Sequence, residues 1–224
     1  MQFRNKMVWH KDNLLPKSDL IVLPGGFSYG DYLRSGAIAA KSNILREVIK
    51  EANKGCLIIG ICNGFQVLIK SGLLLEDDSN GDPPATLCWN NHGLYEDRWV
   101  HLQNASDKCV FLRGVDRMYL PIAHAEGRFV MRDDTVADQL QASQQLALKY
   151  VNAAGEPASG FPENPNGAQR NVAGVCDDSG RVFGLMPHPE RFLEGTQHPR
   201  WTREGLQAEG DGLAVFRNAV EYFA

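Results

Sequence analysis

The sequence predicts a single α/β domain over residues 1–224, in which a mainly parallel sheet is flanked by helices and carries an antiparallel extension. Two short apolar runs that end in or just before glycine, DLIVLPGG (19–26) and CLIIGI (56–61), are typical of strands buried on both faces of a parallel sheet. A helical pattern separates them, so strand, helix and strand form a right-handed crossover unit. The second half of the chain is richer in strand patterns, which indicates the antiparallel extension.

Three segments have the periodicity of amphipathic helices. In AIAAKSNILREVIKEANKG (37–55) apolar residues recur at steps of three and four, and Gly55 is placed to end the helix. Those apolar residues are Ile38, Leu45, Val48, Ile49 and Ala52. A second helix is expected in NGFQVLIKSGLL (63–74). The closing segment, DGLAVFRNAVEYF (211–223), predicts a helix whose apolar face contains Leu213, Phe216, Val220 and Phe223.

The remaining strand candidates follow one another between residues 97 and 187. They are DRWVHLQ (97–103), RMYLPIA (117–123), QLALKYV (145–151), NVAGVCD (171–177) and RVFGLMP (181–187). Two polar segments rich in proline and glycine, DDSNGDPPA (77–85) and GEPASGFPENPNG (155–167), predict surface loops and not domain boundaries.

Composition narrows the class of protein. A hydrophobic fraction of 43% in 224 residues is typical of one globular domain, and a formal charge of -4 argues against binding to nucleic acid or to an anionic membrane. No apolar run is long enough for a signal peptide or a membrane span, so a cytoplasmic location is expected. The five cysteines are scattered and lack zinc-ligand spacing, so we expect no disulfide framework and no metal.

Cys62 lies in the pattern Gly60-Ile61-Cys62-Asn63-Gly64, immediately after a predicted strand. This is the pattern of a sharp strand-to-helix turn that presents a nucleophile, with cysteine in the place of serine. The following helix directs its N-terminal N–H groups at the thiol, which favours the thiolate. The other four cysteines have no such context and are expected to be structural.

A cysteine nucleophile needs a base, and LMPHPER (185–191) contains the best candidate. Pro187 and Pro189 predict an extended chain, which would place His188 and Glu190 on the same side. Glu190 could then orient the imidazole of His188 towards Cys62. His10, His92, His101 and His198 are expected to be surface or structural residues, and the motif IAHAEGRF (122–129) leaves both a structural and a functional role open for His124.

Attack on a carbonyl also requires donors for the oxyanion. The backbone N–H of Asn63 is one candidate. The glycine-rich loop LPGGFSYG (23–30), with Gly25 and Gly26, is the expected source of a second donor.

Five motifs in this order resemble the class I, or triad, glutamine amidotransferases. They are LPGGFSYGDYLRSGAIA, GICNGFQVL, PIAHAEGRF, NPNG and GLMPHPER, and the likeness covers nearly the whole chain. Within that class the chain is similar to the subunits that release ammonia for phosphoribosylformylglycinamidine synthase, an enzyme of purine biosynthesis. The resemblance implies a flavodoxin-like fold and glutaminase activity.

Site roles follow from the same resemblance. It implies that Cys62 is the nucleophile, that His188 is the general base and acid, and that Glu190 orients His188. Gly26 and Asn63 would form the oxyanion hole, and Gln66 would help to hold the substrate glutamine.

The resemblance also implies partners. No phosphate-binding loop or other nucleotide motif is present in the sequence, so no cofactor is expected in this chain. ATP and magnesium are expected in a separate synthetase subunit, and a small bridging subunit is expected beside it.

One departure from the family concerns the start of the chain. The family places a strand and a helix before the segment MVWHKD (7–12), which is itself expected to form the second strand. The first strand and helix are therefore expected to be missing, through a misassigned start, a fragment or a natural variant.

Three alternative functions remain open at this stage. The chain could serve another class I amidotransferase with a different ammonia acceptor. It could be a cysteine-dependent α/β-hydrolase, although there the acid precedes the histidine in the chain, and here His188 precedes Glu190. It could also be a catalytically silent scaffold that binds a partner.

Overall fold

The computed structural model describes residues 4–27 and 36–224, which form nine strands and five α-helices. The strands are β1 Leu20–Leu23, β2 Leu57–Ile61, β3 Ala85–Cys88, β4 Glu96–Asn104, β5 Arg117–His124, β6 Arg128–Met131, β7 Leu148–Val151, β8 Val172–Cys176 and β9 Val182–Leu185. The α-helices are α1 Asn43–Asn53, α2 Asn63–Ser71, α3 Asp134–Ala142, α4 Trp201–Glu204 and α5 Leu213–Glu221. The segment 28–35 of the glycine-rich motif lies outside the described residues.

One sheet of seven strands, in the order β1-β2-β9-β8-β7-β4-β5, organises the molecule. The strands β1, β2 and β9 are parallel neighbours, pairing Leu23 with Gly60 and Ile61 with Leu185. The other four strands continue the sheet by antiparallel pairing, while β3 and β6 form a separate antiparallel pair. The predicted α/β fold with an antiparallel extension is confirmed, and the extension has more strands than the parallel part.

Helix α2 packs against all three parallel strands, β1, β2 and β9. All five residues of β2 are buried, as expected for a strand covered on both faces. The core beneath α2 contains Phe65 and Phe129, whose rings stack with centroids 6.4 Å apart. Full burial of each such side chain stabilises the fold by about 2 kcal/mol.

The predicted helix over 37–55 is interrupted. A short 3-10 turn covers Ala39–Lys41, and α1 begins only after Ser42, whose extended backbone (ψ 154°) breaks the helical path. The break turns Ile38 out of the apolar face, and this side chain is 49% exposed. Gly55 follows the helix with φ +92°, which agrees with its predicted role in ending it.

The prediction of a strand at VWH (8–10) is wrong. Residues 4–18 contain no strand, because a strand needs a hydrogen-bonded neighbour and β1 pairs with β2 alone among the described strands. β1 therefore lies at an edge of the sheet, and its Val22 is 43% exposed.

The predicted apolar face of the last helix is confirmed only in part. Phe216 packs against the core as predicted, but the fully buried residues of α5 are Val215 and Ala219, and Phe223 is 49% exposed beyond its end. The helix is rotated in this way because it packs against the 3-10 turn Val110–Leu112.

Sequence patterns also missed four elements, β3, β6, α3 and α4. β3 and β6 are each four residues long and pair across forty or more positions of sequence, so neither has its pairing partner nearby in the chain to signal it. Among the described residues, none of the helices has the length and apolar character that crossing a membrane requires.

Candidate active site

The carboxyl ends of the parallel strands bring the predicted catalytic residues together. β1 leads into Gly25, β2 leads directly into Cys62, and β9 leads through two residues to His188. The N–H of Cys62 donates to the carbonyl of Leu185 over 2.8 Å, so the turn that carries the thiol is tied to the strand that carries the histidine.

Cys62 forms the predicted sharp turn between β2 and α2. Its φ of 51° and ψ of −105° lie outside the regions that residues with a side chain favour, so the backbone is strained at the nucleophile. The first hydrogen bond of α2 runs from the N–H of Gln66 to the carbonyl of Cys62, so the helix begins immediately after the thiol. Strain of this kind is common where a turn must present a reactive side chain.

The two flanking glycines are required by close approach. A side-chain carbon on Gly60 would overlap the backbone of Gly64, and one on Gly64 would overlap the carbonyl of Leu23 in β1. The motif therefore allows α2 to lie directly against both β1 and β2.

His188 and Glu190 form the predicted pair. His188 is 3% exposed, and its Nδ1 lies 2.6 Å from Oε1 of Glu190. A carboxylate only accepts hydrogen bonds, so Nδ1 carries the proton and Nε2 presents a lone pair. That Nε2 is buried without a hydrogen-bond partner in the described structure.

The extended conformation predicted for 185–191 ends at His188. Pro189–Arg191 forms a 3-10 turn with proline in its first position, where the missing N–H costs nothing. The N–H of Arg191 donates to the carbonyl of His188 over 3.2 Å. Glu190 thus reaches His188 through a tight turn, and the prediction of an extended path was wrong in this part.

Gly25 shows how close the nucleophile and the base lie. A side-chain carbon on Gly25 would be 2.8 Å from Cε1 of His188 and 3.5 Å from Cβ of Cys62. Both side chains therefore border the same gap, beside the glycine-rich loop.

Gly26 follows with φ +136° and open space where a side chain would be, and Asn63 is the first residue of α2. Gly26 and Asn63, the two residues predicted to supply oxyanion donors, are thus the chain neighbours of Gly25 and Cys62.

Gln66 is engaged inside the protein. Its Nε2 donates to the carbonyl of Glu126 over 2.9 Å, and its Oε1 accepts from Nδ2 of Asn63 over 2.9 Å. The side chain is 4% exposed. In this state Gln66 links α2 to the turn that follows β5.

His124 is the last residue of β5, immediately before that turn, and is fully enclosed. Burial, followed by the nearby charges of His188 and His92, lowers the pKa of His124 to about 3, so the ring is neutral. Its Nδ1 lies 3.2 Å from Oδ1 of Asn90. The motif alone left its role ambiguous, and the structure places it among the buried polar groups near the site.

The other histidines occupy structural positions. His92 bonds to the carbonyl of Pro165, His101 stacks on Tyr119, and His198 is 5% exposed and accepts from the N–H of Arg200. His10 lies in the segment 4–18, outside the strands and helices.

The other four cysteines are remote from this arrangement of nucleophile and base. Cys56, Cys109 and Cys176 are buried, and burial raises the pKa of Cys56 to about 11. Cys88 is partly buried in β3, and none of the five cysteines forms a disulfide with another described residue. Among residues 4–27 and 36–224, no cluster of histidine, cysteine or carboxylate side chains has the makings of a metal site.

An exposed apolar band adjoins the site. It consists of Phe27, Leu94, Tyr95 and Phe161, which are 49–66% exposed. Phe27 follows Gly26 in the glycine-rich loop and lies against Tyr95, with ring centroids 6.4 Å apart. Phe161 contacts His92, in the same loop as Leu94, and holds the guanidinium of Arg98 over its ring at 4.5 Å.

Comparison with known proteins gives a consistent result. Residues 3–223 match the family model of the CobB/CobQ-like glutamine amidotransferase domain. The chain is 44% identical to the phosphoribosylformylglycinamidine synthase subunit PurQ of Dehalococcoides mccartyi, over 95% of this chain and 82% of the relative. It is 42% identical to the PurQ subunit of Methanococcus maripaludis, over 92% of this chain and 80% of that relative.

Solved structures agree with the sequence relatives. A chain in the structure of PurLQS from Thermotoga maritima is 37% identical, with a TM-score of 0.72 over 95% of this chain and 84% of the other. A glutamine amidotransferase from Thermotoga maritima, 17% identical with a TM-score of 0.53 over 91% of this chain and 77% of the other, shares the fold. The family match over nearly the whole length and the relatives at 42–44% identity show that this chain belongs to the CobB/CobQ-like glutamine amidotransferase family.

Proposed function

We propose that this chain is the glutaminase subunit of a phosphoribosylformylglycinamidine synthase, and that it supplies ammonia to a synthetase subunit. The observation that carries the chemistry is the position of His188, which is bonded to Glu190 and borders the same gap as Cys62. The relatives named PurQ support this particular member of the family.

The reaction begins at the thiol. Nε2 of His188 takes the proton of Cys62, and the sulfur attacks the side-chain amide carbon of glutamine. The negative charge that develops on the amide oxygen is stabilised by the backbone N–H groups of Gly26 and Asn63. His188 then returns the proton to the amide nitrogen, the carbon–nitrogen bond breaks, and ammonia leaves a γ-glutamyl thioester on Cys62.

Water completes the cycle. His188 takes a proton from the water molecule that attacks the thioester, and glutamate leaves as the thiol of Cys62 is restored. Glu190 stabilises the imidazolium that forms twice in each cycle. Gln66 shapes the glutamine pocket through its hydrogen bonds to Asn63 and to the turn after β5.

The ammonia acceptor lies on another chain. The sequence contains no phosphate-binding loop, so ATP and magnesium would bind to the synthetase subunit, which converts formylglycinamide ribonucleotide to formylglycinamidine ribonucleotide. The PurLQS assembly of Thermotoga maritima supports a synthetase and a small bridging subunit as partners. Ammonia released into water would be protonated and unreactive, so the synthetase should cover the site, and the apolar band is the surface that it would contact.

The cysteines and the family match bear on the location of the protein and the extent of the domain. Five cysteines that form no disulfide among the described residues support a reducing compartment, and we place the protein in the cytoplasm. The family match over residues 3–223 supports one domain over 1–224.

Reconstitution tests the proposal. The chain is mixed with the synthetase subunit, the bridging subunit, ATP, magnesium and formylglycinamide ribonucleotide, and product formation is measured with glutamine or with ammonium as the nitrogen source. We expect the chain to make the reaction glutamine-dependent. Cys62→Ala should abolish the reaction with glutamine, leave the reaction with ammonium intact, and still bind the synthetase.

Each alternative has its own outcome in this assay. If glutamine is hydrolysed but this synthetase receives no ammonia, the chain serves another acceptor. If Cys62→Ala turns over glutamine as fast as the unaltered chain, the assigned nucleophile is wrong. If the unaltered chain binds the synthetase and never hydrolyses glutamine, it is a scaffold.

A further inference from the structure

A buried asparagine outside the catalytic triad connects the nucleophile to the loop beside the apolar band. Asn90 is 2% exposed and lies between β3 and β4. Its Nδ2 donates to the carbonyls of His124 and Leu94, each over 2.9 Å. Its backbone N–H donates to the carbonyl of Ala125 over 2.8 Å. One side chain thus ties the turn after β5 to the loop that carries Leu94.

The oxygen of the same amide is also fully used. Oδ1 of Asn90 accepts from the N–H of Gly127 and lies within hydrogen-bond distance of Nδ1 of His124, each at 3.2 Å. The amide cannot be reversed, because its NH₂ group would then face the N–H of Gly127. An oxygen at this position can only accept, so His124 carries its proton on Nδ1. Asn90 therefore fixes both the tautomer of His124 and the backbone on either side of it.

The segment that Asn90 holds consists of the last two residues of β5 and the turn after it, residues 123–127, and is called the 123–127 turn below. It contacts both Cys62 and Gln66. The thiol of Cys62 lies 3.7 Å from the carbonyl of Ala123, at the start of the turn. The carbonyl of Glu126 accepts from Gln66 in the first turns of α2. The ring of His124 fills the space beside Gly127, where a side-chain carbon would overlap it.

We propose that Asn90 is a positioning residue for Cys62, which acts by holding the 123–127 turn against the thiol and against Gln66. Nothing in the triad mechanism requires this amide. Its effect is on where the sulfur lies relative to His188, and small displacements of reacting groups change rates strongly. The turnover part of this inference rests on the proposed function, whereas its effect on the thiol does not.

The substitution Asn90→Asp tests the proposal with a side chain of the same shape. One carboxylate oxygen still accepts from Gly127, but the other faces the carbonyls of His124 and Leu94 and repels them. We expect kcat of the assembled complex to fall by about tenfold or more, because the turn moves away from the thiol. The rate at which iodoacetamide alkylates Cys62 should reach half of its maximum at a higher pH, since a new negative charge disfavours the thiolate.

Asn104→Asp is the matched control. The amide of Asn104 also donates to two carbonyls, those of Leu112 and Val115, and accepts the N–H of Ser106. Asn104 is the last residue of β4, whereas Glu96, the first residue of that strand, pairs with His124. Asn104 therefore lies at the end of β4 away from His124. We expect this variant to lose stability to a similar extent, while kcat stays within about twofold and the alkylation profile is unchanged.

Three results would overturn the proposal. The first is a folded Asn90→Asp complex with unchanged kcat and an unchanged alkylation profile. The second is equal loss of kcat in Asn104→Asp. If Asn90→Asp does not fold, the same measurements are made on Asn90→Ser. The third result is that neither variant folds, which would show that the amide is needed for folding and has no separate role in positioning Cys62. An unaltered complex that never hydrolyses glutamine is a different result, because it refutes the proposed function and leaves the alkylation comparison valid.

Discussion

At the scale of single residues, the contact between His188 and Glu190 determines which nitrogen of the imidazole faces the thiol. The substitution Glu190→Gln keeps a hydrogen-bond acceptor but removes the charge that stabilises the imidazolium. We expect kcat for glutamine hydrolysis to fall by about 10²-fold, with the reaction from ammonium unaffected. Steady-state kinetics of the reconstituted complex measures both. Glu204→Gln, which removes an exposed ion pair with Arg200, is the control and should have no effect.

The neutral state of His124 makes a second prediction, on stability. Its pKa is lowered from the ordinary value of 6.5 to about 3, by burial first and then by His188 and His92. Below pH 6.5 the unfolded chain therefore binds a proton that the folded chain does not, so stability is lost as the pH falls. We expect this group to lower the free energy of unfolding by at most about 1.4 kcal/mol per pH unit in that range.

Urea denaturation at pH 7.5 and at pH 5.5 measures this loss. The variant His124→Gln is less stable at pH 7.5, because it fills the space beside Gly127 less well, but it should lose less on acidification. An equal loss in both proteins would mean that His124 is not the group that titrates.

Single residues also show what the sequence can and cannot predict about a site. Cys62 could be identified as the nucleophile from the sequence, because the geometry of its turn depends on two residues close to it in the chain, Gly60 and Gly64. Asn90 gave no signal, because only Leu94 among its partners is near it in sequence, whereas His124 and Gly127 lie more than thirty positions away and reach it only after the 123–127 turn has folded beside it.

At the scale of elements, the position of α2 depends on Gly64. A side-chain carbon there would overlap the carbonyl of Leu23, so Gly64→Ala must push α2 away from β1. We expect the free energy of unfolding to fall by about 1–3 kcal/mol, and glutamine hydrolysis to be lost because Cys62 moves with the helix. Urea denaturation and the hydrolysis assay measure the two effects.

Gly72→Ala at the other end of α2 is the comparison. Gly72 has φ +75° and no atom within 4 Å of a new side-chain carbon, so its substitution strains the backbone without displacing the helix. It should cost about 1–2 kcal/mol and leave hydrolysis intact. Equal loss of activity in both variants would show that helix stability, and not the contact with β1, maintains the site.

Elements differ in how far the sequence predicts them. β1 and β2 are short apolar runs that end close to a glycine, so their local pattern is sufficient to predict them. The face of α5 was predicted only in part because Val215 and Ala219 are selected by the Val110–Leu112 turn, which is distant in sequence. The Pro189–Arg191 turn was missed because proline is compatible with both an extended chain and the first position of a helical turn.

At the scale of the whole molecule, the active site and the apolar band lie on adjoining surfaces, and ammonia chemistry connects them. A synthetase that receives ammonia before water protonates it must seal the edge of the gap between Cys62 and His188. Phe27 is two residues along the chain from Gly25, which borders that gap, and its ring lies against Tyr95; Leu94 and Phe161 are the other exposed side chains of the band. Large apolar side chains that become buried in this way contribute much of the affinity of an interface.

The double substitution Leu94→Ser with Phe161→Ser should therefore weaken binding to the synthetase. We expect Kd, measured by calorimetry, to rise about tenfold or more, while kcat at saturating synthetase changes little, because neither side chain belongs to the triad. Leu206→Ser with Phe223→Ser is the control, since these side chains are 62% and 49% exposed on other elements. If the control pair weakens binding and the band pair does not, the synthetase docks on another face, and ammonia must reach it by a path that does not cross the band.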